Sequence, residues 1–111
     1  MIHVTIYKNT DQMVNGFQVE GHAGYAGEGE FDVVCASVSM LTINTVNSIE
    51  EFTEDDFSCV EDPEGGLLAV HLQGTVSHDS EVLLKSLVLG FETLVNTDNY
   101  SEFIDLTFEE V

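Results

Sequence analysis

The chain has 111 residues, of which 43% are hydrophobic, and its 21 Asp and Glu residues stand against only two cationic side chains, Lys8 and Lys85. A chain of this length suits one domain, and enough of it is apolar to build a core, so we expect a single folded domain over residues 1–111. Nucleic acid and anionic membrane surfaces need cations for binding, so both are excluded as direct partners. Basic partners are attracted instead.

The compartment is predicted from the N-terminus and the cysteines. The first residues alternate like a strand rather than forming an apolar leader, and no apolar run approaches the ~20 residues of a membrane span. Cys35 and Cys59 are far apart in sequence and lack a secretory context, which is typical of free thiols in a reducing compartment. We therefore expect a cytoplasmic protein.

Two strands and a glycine-rich loop are predicted first along the chain. Apolar and polar residues alternate over residues 2–8 and 14–21, with a turn at 9–12 between them. The following segment, up to residue 31, is predicted to be a mobile loop that can close over a site. Its glycines are Gly21, Gly24, Gly27 and Gly29.

A long helix is predicted to begin directly after this loop. Apolar residues recur at steps of three and four from residue 34, Asp32 is a good N-cap, and Cys35 then falls in the first turn. The predicted buried stripe consists of Val34, Val38, Leu41, Thr45, Ile49 and Phe52.

The second half of the chain repeats the pattern of two strands and a helix. Strands are predicted at 57–60 and 67–72, a helix follows the cap Ser77, and a last strand is centred on Leu106. The second helix is predicted to bury Leu84, Leu87, Phe91 and Leu94. The order β-β-α-β-β-α-β predicts an α+β fold, with a mixed or antiparallel sheet and two helices on one face.

Cys35 is the candidate that the chemistry favours. The opening turn of a helix offers unpaired N–H groups and partial positive charge, which stabilise a thiolate and can bind an oxyanion. His22, at the end of the second strand, could take the thiol proton and return it to a leaving amine. Ser37 or Ser39 could add a hydroxyl group. The structural alternative is a core cysteine beside a common strand-to-helix loop.

Two segments extend this interpretation by resemblance. Gly-His-Ala-Gly-Tyr at residues 21–25 and Asp-Val-Val-Cys-Ala at residues 32–36, together with Ser39, resemble the ribosomal-processing cysteine proteases (Prp). The predicted order of elements is similar to that family over essentially the whole chain.

The resemblance implies a function and a partner. It implies a Cys–His dyad, with Cys35 as nucleophile and His22 as general base and acid. It also implies a substrate, the N-terminal extension of large-subunit ribosomal protein twenty-seven, cut after a hydrophobic stretch ending in Phe. Members of the family are expected to form homodimers and to need no cofactor.

Asp32 and Cys59 each have two interpretations. Asp32 either caps the helix or orients His22 as a third catalytic residue, and a carboxylate committed to backbone N–H groups favours the cap. Cys59 follows Phe57 by two residues in a short strand and is predicted to face inward with it, which favours a small buried hydrophobe. Neither thiol belongs to a zinc-binding pattern, so no metal is expected.

A different class of function remains open, namely a non-enzymatic acidic module that binds a basic (ribosomal) protein. Alkylation distinguishes the two classes, because a Cys35 nucleophile with a low pKa should react much faster than Cys59.

Overall fold

The alternating segments form a mixed sheet. The computed structural model describes residues 1–24 and 32–111, and within these residues five strands pair in the order β3-β4-β2-β1-β5. Strand β1 runs parallel to β5, and the other neighbouring strands are antiparallel. The strands are β1 (Ile2–Lys8), β2 (Val14–Glu20), β3 (Phe57–Asp62), β4 (Leu67–Leu72) and β5 (Ile104–Glu110).

The pairing register places the apolar side chains on one face. Val4 lies opposite Val19 of β2 and Leu106 of β5. Phe17 lies opposite Val70 of β4 and is fully buried. A shift by one residue would turn these side chains to the other face, so burial of this face determines the register.

Helix α1 (Val33–Phe52) begins at the predicted cap and packs on the apolar face. Its buried positions are Val34, Val38, Thr42, Thr45 and Ile49. Leu41 is only half-buried and meets α2 at Gly90, where a side chain would collide with it. The prediction that Phe52 is buried was wrong, since 69% of it is exposed in the last turn, where the helix runs past the core.

Helix α2 (His78–Val95) buries the four predicted residues, Leu84, Leu87, Phe91 and Leu94. Ser77 caps it by accepting from the N–H of Ser80. The carboxylate of Asp55, three residues after the end of α1, accepts hydrogen bonds from the backbone and hydroxyl of Ser77 at 3.1 and 2.7 Å. One carboxylate therefore ties the end of α1 to the start of α2.

The predicted fold is confirmed in its element order, its mixed sheet and its two helices on one face. The prediction of a buried Cys59 was wrong, because the side chain is exposed. The Cys59 side chain points to the same face as the buried Val70 opposite it, which is the face that the helices cover. However, β3 is the edge strand, and the helices leave Cys59 exposed.

Candidate active site

An open cleft of about 320 Å³ lies where β2 ends, α1 begins and the β3–β4 turn approaches both. Its walls are largely apolar, and the acidic residue Glu61 is among the residues that line it. Cys35, His22, Ser39 and Thr42 also line it. The apolar lining residues include Ile2, Val19, Val38, Ile43, Leu67 and Leu68.

Cys35 is half-buried in the first turn of α1, with its thiol free. The carboxylate Oδ1 of Asp32 accepts from the N–H groups of Val34 and Cys35 at 3.1 and 3.0 Å, which caps the helix. The N–H of Ala23 donates to the Cys35 Sγ atom at 3.4 Å. This contact joins the chain after β2 to the start of α1.

The surroundings of Cys35 oppose its ionisation. Burial is the main cause that raises the pKa of the thiol above its ordinary value of 9.0. The Ala23 N–H lowers this pKa, while the charge and hydrogen bonding of Asp32 raise it further. The pKa of Cys35 is thus raised rather than lowered in this structure, because burial and the Asp32 carboxylate together outweigh the Ala23 N–H.

The Asp32 carboxylate also occupies N–H groups at the start of α1 that were predicted to bind the oxyanion of the reaction. The N–H groups of Val34 and Cys35 are bonded to Asp32 and are not presented to a substrate in this arrangement. Within the described part of the chain, the backbone donor that reaches the sulfur is that of Ala23.

His22 lies on the same cleft as Cys35, and its side chain is exposed. Its Nε2 atom is 3.1 Å from the carbonyl oxygen of Glu64 in the β3–β4 turn. The amino group of Met1 donates to the carbonyl oxygen of His22 at 2.7 Å. The backbone and the ring of His22 are thus both held in place.

The other sequence candidates divide into three groups. Ser39 is exposed and lines the cleft one helical turn after Cys35, whereas the hydroxyl of Ser37 is bonded to the Val33 carbonyl at 2.7 Å. Gly21 lines the cleft, and Gly24 is exposed. Gly27 and Gly29, and with them most of the predicted lid, lie outside the described residues.

Sequence reasoning missed the part of the site that comes from the hairpin of β3 and β4. Glu61 and Gly66 line the cleft, and the Glu64 carbonyl contacts His22 across 42 positions of sequence. The segment Glu-Asp-Pro-Glu-Gly-Gly was recognisable as a turn, but local sequence carries no signal for which strand end a turn approaches.

Residues 1–24 and 32–111 contain neither a metal-binding cluster nor a membrane-spanning helix. No cluster of three or more His, Cys, Asp or Glu side chains there is arranged to hold a metal ion. No helix in that part of the chain has the length and apolar character needed to cross a membrane.

A thiol and an imidazole on one open, apolar-walled cleft are the parts of a cysteine-type hydrolase. The family model described as cysteine protease Prp matches residues 1–105. The chain therefore belongs to the Prp family of cysteine proteases, which confirms the resemblance drawn from the two motif segments.

Individual relatives agree with this assignment. The chain is 37% identical over 49 residues to the ribosomal processing cysteine protease Prp of Bacillus subtilis (strain 168), a match that spans 44% of this chain and 43% of that protein. The crystal structure of an essential ribosomal processing protease Prp from S. aureus, in complex with a covalently linked product peptide, is 28% identical with a TM-score of 0.87. That likeness covers 98% of this chain and all of the other.

A second S. aureus Prp structure, in complex with a substrate peptide, is 27% identical with a TM-score of 0.84, and the match covers 98% of this chain and 100% of that one. The fold of this chain is therefore one that binds peptides in a relative.

Proposed function

We propose that this chain is a cysteine endopeptidase that removes the N-terminal extension of large-subunit ribosomal protein twenty-seven, with Cys35 and His22 as its dyad. The observation that carries the proposal is the placement of these two side chains on one cleft. Membership in the Prp family, and relatives described as ribosomal processing proteases, support the substrate class.

The proposed reaction begins from the neutral pair. The S–H bond of Cys35 breaks as its proton passes to His22, and the sulfur forms a bond to the scissile carbonyl carbon. His22 then gives the proton to the departing amine, which leaves a thioester on Cys35. Water, activated by His22, hydrolyses the thioester and restores the thiol. No cofactor takes part.

In this scheme the Cys35 thiol loses its proton as the sulfur attacks the substrate. Burial and Asp32 raise the pKa of Cys35, which favours transfer of the thiol proton to the imidazole as the sulfur attacks. The Ala23 N–H, which reaches the sulfur at 3.4 Å, can stabilise negative charge there.

Substrate recognition follows from the lining of the cleft. The apolar walls suit the hydrophobic stretch before the cleavage point, and the carboxylate of Glu61 suits a nearby basic side chain. A formal charge of −19 attracts a basic precursor from a distance.

We also expect the protein to act in the cytoplasm as a homodimer, and light scattering during size exclusion would measure the dimer directly.

The direct test is incubation with the extended ribosomal precursor, followed by mass spectrometry of the product. Wild type should remove the extension at one bond, and Cys35→Ala should lower the rate at least about a thousandfold because nucleophile and base act as a unit. His22→Ala should cause a loss of similar size. Cys59→Ala is the matched control, since this thiol is exposed on the edge strand.

Two outcomes would refute the proposal. Cleavage that survives Cys35→Ala would exclude the dyad. Tight binding of the precursor without any cleavage by wild type would favour the acidic binding module instead.

A further inference from the structure

The β3–β4 turn makes contacts that a connecting turn does not need. It is a tight turn over residues 63–66, closed by the N–H of Gly66 donating to the Pro63 carbonyl at 3.2 Å. Its Gly65 carbonyl accepts from the N–H of Gly21 at 3.1 Å, and its Glu64 carbonyl meets Nε2 of His22 at 3.1 Å. Consecutive carbonyls of the turn thus hold the backbone before His22 and the ring itself.

The contact with the ring determines where its proton lies. A carbonyl oxygen can only accept, so Nε2 must carry the hydrogen. A neutral imidazole has one N–H, and Nδ1 is therefore left with a free lone pair. In Cys-His-Asn peptidases a side-chain amide performs this orienting role, and here a main-chain carbonyl is in the corresponding relation to the imidazole.

Gly66 is what allows the turn to come this close. Its φ is +64°, and a Cβ atom there would collide with the Gly21 carbonyl and lie 3.2 Å from Cε1 of His22. Any side chain at Gly66 would therefore push the turn away from the histidine.

We propose that the β3–β4 turn is a positioning element of the active site, with the Glu64 carbonyl holding Nε2–H of His22 so that Nδ1 accepts the Cys35 proton. This inference rests on the proposed function for its catalytic meaning. In the step itself the S–H bond breaks, the Nδ1–H bond forms, and the imidazolium keeps its Nε2–H bond to the turn. The same Nδ1–H then returns the proton to the leaving amine.

The tautomer is measurable without any assay of activity. A long-range ¹H–¹⁵N spectrum of protein with ¹⁵N-labelled histidine, taken where the imidazoles are neutral, should show His22 protonated at Nε2. His3 is an internal contrast, because its Nδ1 lies 2.7 Å from the Asp105 carboxylate and should carry the proton there. A His22→Gln spectrum assigns the signal. Protonation of His22 at Nδ1 would overturn the proposal.

The second arm compares two glycines with matched backbone strain. Gly66 and Gly74 have φ of +64° and +73°, but a Cβ at Gly74 would meet nothing within 4 Å. Gly66→Ala should lower kcat at least tenfold and abolish the preference of His22 for one tautomer, while Gly74→Ala should keep kcat within twofold. Wild-type kcat in Gly66→Ala would contradict the proposal.

The two arms also separate this inference from the proposed function. If the wild-type protein shows the Nε2–H tautomer but cleaves no precursor, the positioning contact stands and the proposed peptidase activity is refuted. A wild type that cleaves while His22 is protonated at Nδ1 would refute the positioning contact alone. If Gly66→Ala fails to fold, the wild-type spectrum still decides the tautomer.

Discussion

Asp32 connects helix capping with thiol chemistry at the scale of single residues. Its carboxylate stabilises the start of α1 through the N–H groups of Val34 and Cys35, and its charge raises the pKa of the Cys35 thiol. Asp32→Asn keeps a good N-cap and removes the charge. We expect this variant to keep its stability and to lower the pKa of Cys35, as measured by thiolate absorbance against pH.

Asp32→Ala provides the comparison, because it removes both the cap and the charge. It should cost about 1 kcal/mol of unfolding free energy and lower the same pKa. If Asp32→Asn left the Cys35 pKa unchanged, the electrostatic role given to this carboxylate would be wrong.

The alkylation rates of Cys35 and Cys59 should depend on pH in a similar way. The pKa of Cys35 is raised mainly by burial, and that of Cys59 by partial burial and the Glu61 carboxylate. Alkylation by iodoacetamide, followed by peptide mass spectrometry, should be slow at pH 7 for both and rise about tenfold per pH unit up to pH 9. A rate for Cys35 that levels off below pH 8 would contradict this. Alkylation of the free protein therefore does not separate a peptidase from a binding module.

We expect the charge of Glu61 to interact with a basic side chain of the substrate. Glu61 lines the cleft among largely apolar residues. Glu61→Gln should reduce the preference for a peptide with a lysine near the cleavage point, relative to the same peptide with glutamine, by about twofold to fivefold. Glu50→Gln is the control, an equal change in charge at an exposed position of α1. Equal effects of the two variants would attribute the preference to overall charge.

At the scale of elements, the contact between Asp55 and Ser77 should make stability depend on pH. Hydrogen bonds from Ser80 and Ser77 lower the pKa of Asp55 below its ordinary value of 3.8. The stabilisation is therefore present above about pH 4 and is lost as the pH falls through the lowered, folded-state pKa.

Asp55→Ala should lower the unfolding free energy by about 1–2 kcal/mol at pH 7, measured in urea, and by less at pH 2.5. Ser77→Ala should cost about 1 kcal/mol through loss of the cap. An Asp55→Ala effect that is as large at pH 2.5 as at pH 7 would exclude the ionised carboxylate as its cause.

Elements that bury one continuous face were predictable from sequence. The alternation in β1 and β2 and the three-to-four spacing in α2 each follow from packing on a single apolar layer. Phe52 and Cys59 were misassigned because periodicity shows which way a side chain points but not where the covering layer ends.

The site was predictable only where its parts are close in sequence. His22 and Cys35 belong to motif segments joined by one loop. By contrast, the pairing of β3 with β4 and of β4 with β2 brings Glu61 to the cleft and the Glu64 carbonyl to His22. The sign of the Cys35 pKa shift also needed the structure, because burial and Asp32 had to be weighed against the helix start.

At the scale of the whole molecule, the net charge of −19 should affect encounter with substrate. Attraction between an acidic enzyme and a basic precursor weakens as salt shortens the Debye length. Between 50 and 500 mM salt, kcat/KM for the precursor should fall several-fold more than kcat/KM for a neutral peptide. An equal salt dependence for both substrates would exclude steering.

The central claim is that Cys35 and His22 work together on one peptide-binding cleft. A peptide chloromethyl ketone with a hydrophobic sequence ending in Phe tests this directly, with intact-mass and peptide mapping as the readout. We expect one adduct on Cys35, none on Cys59, and a rate that falls at least about a hundredfold in His22→Ala. Labelling of both thiols at equal rates, or labelling of Cys35 that is indifferent to His22, would contradict the account.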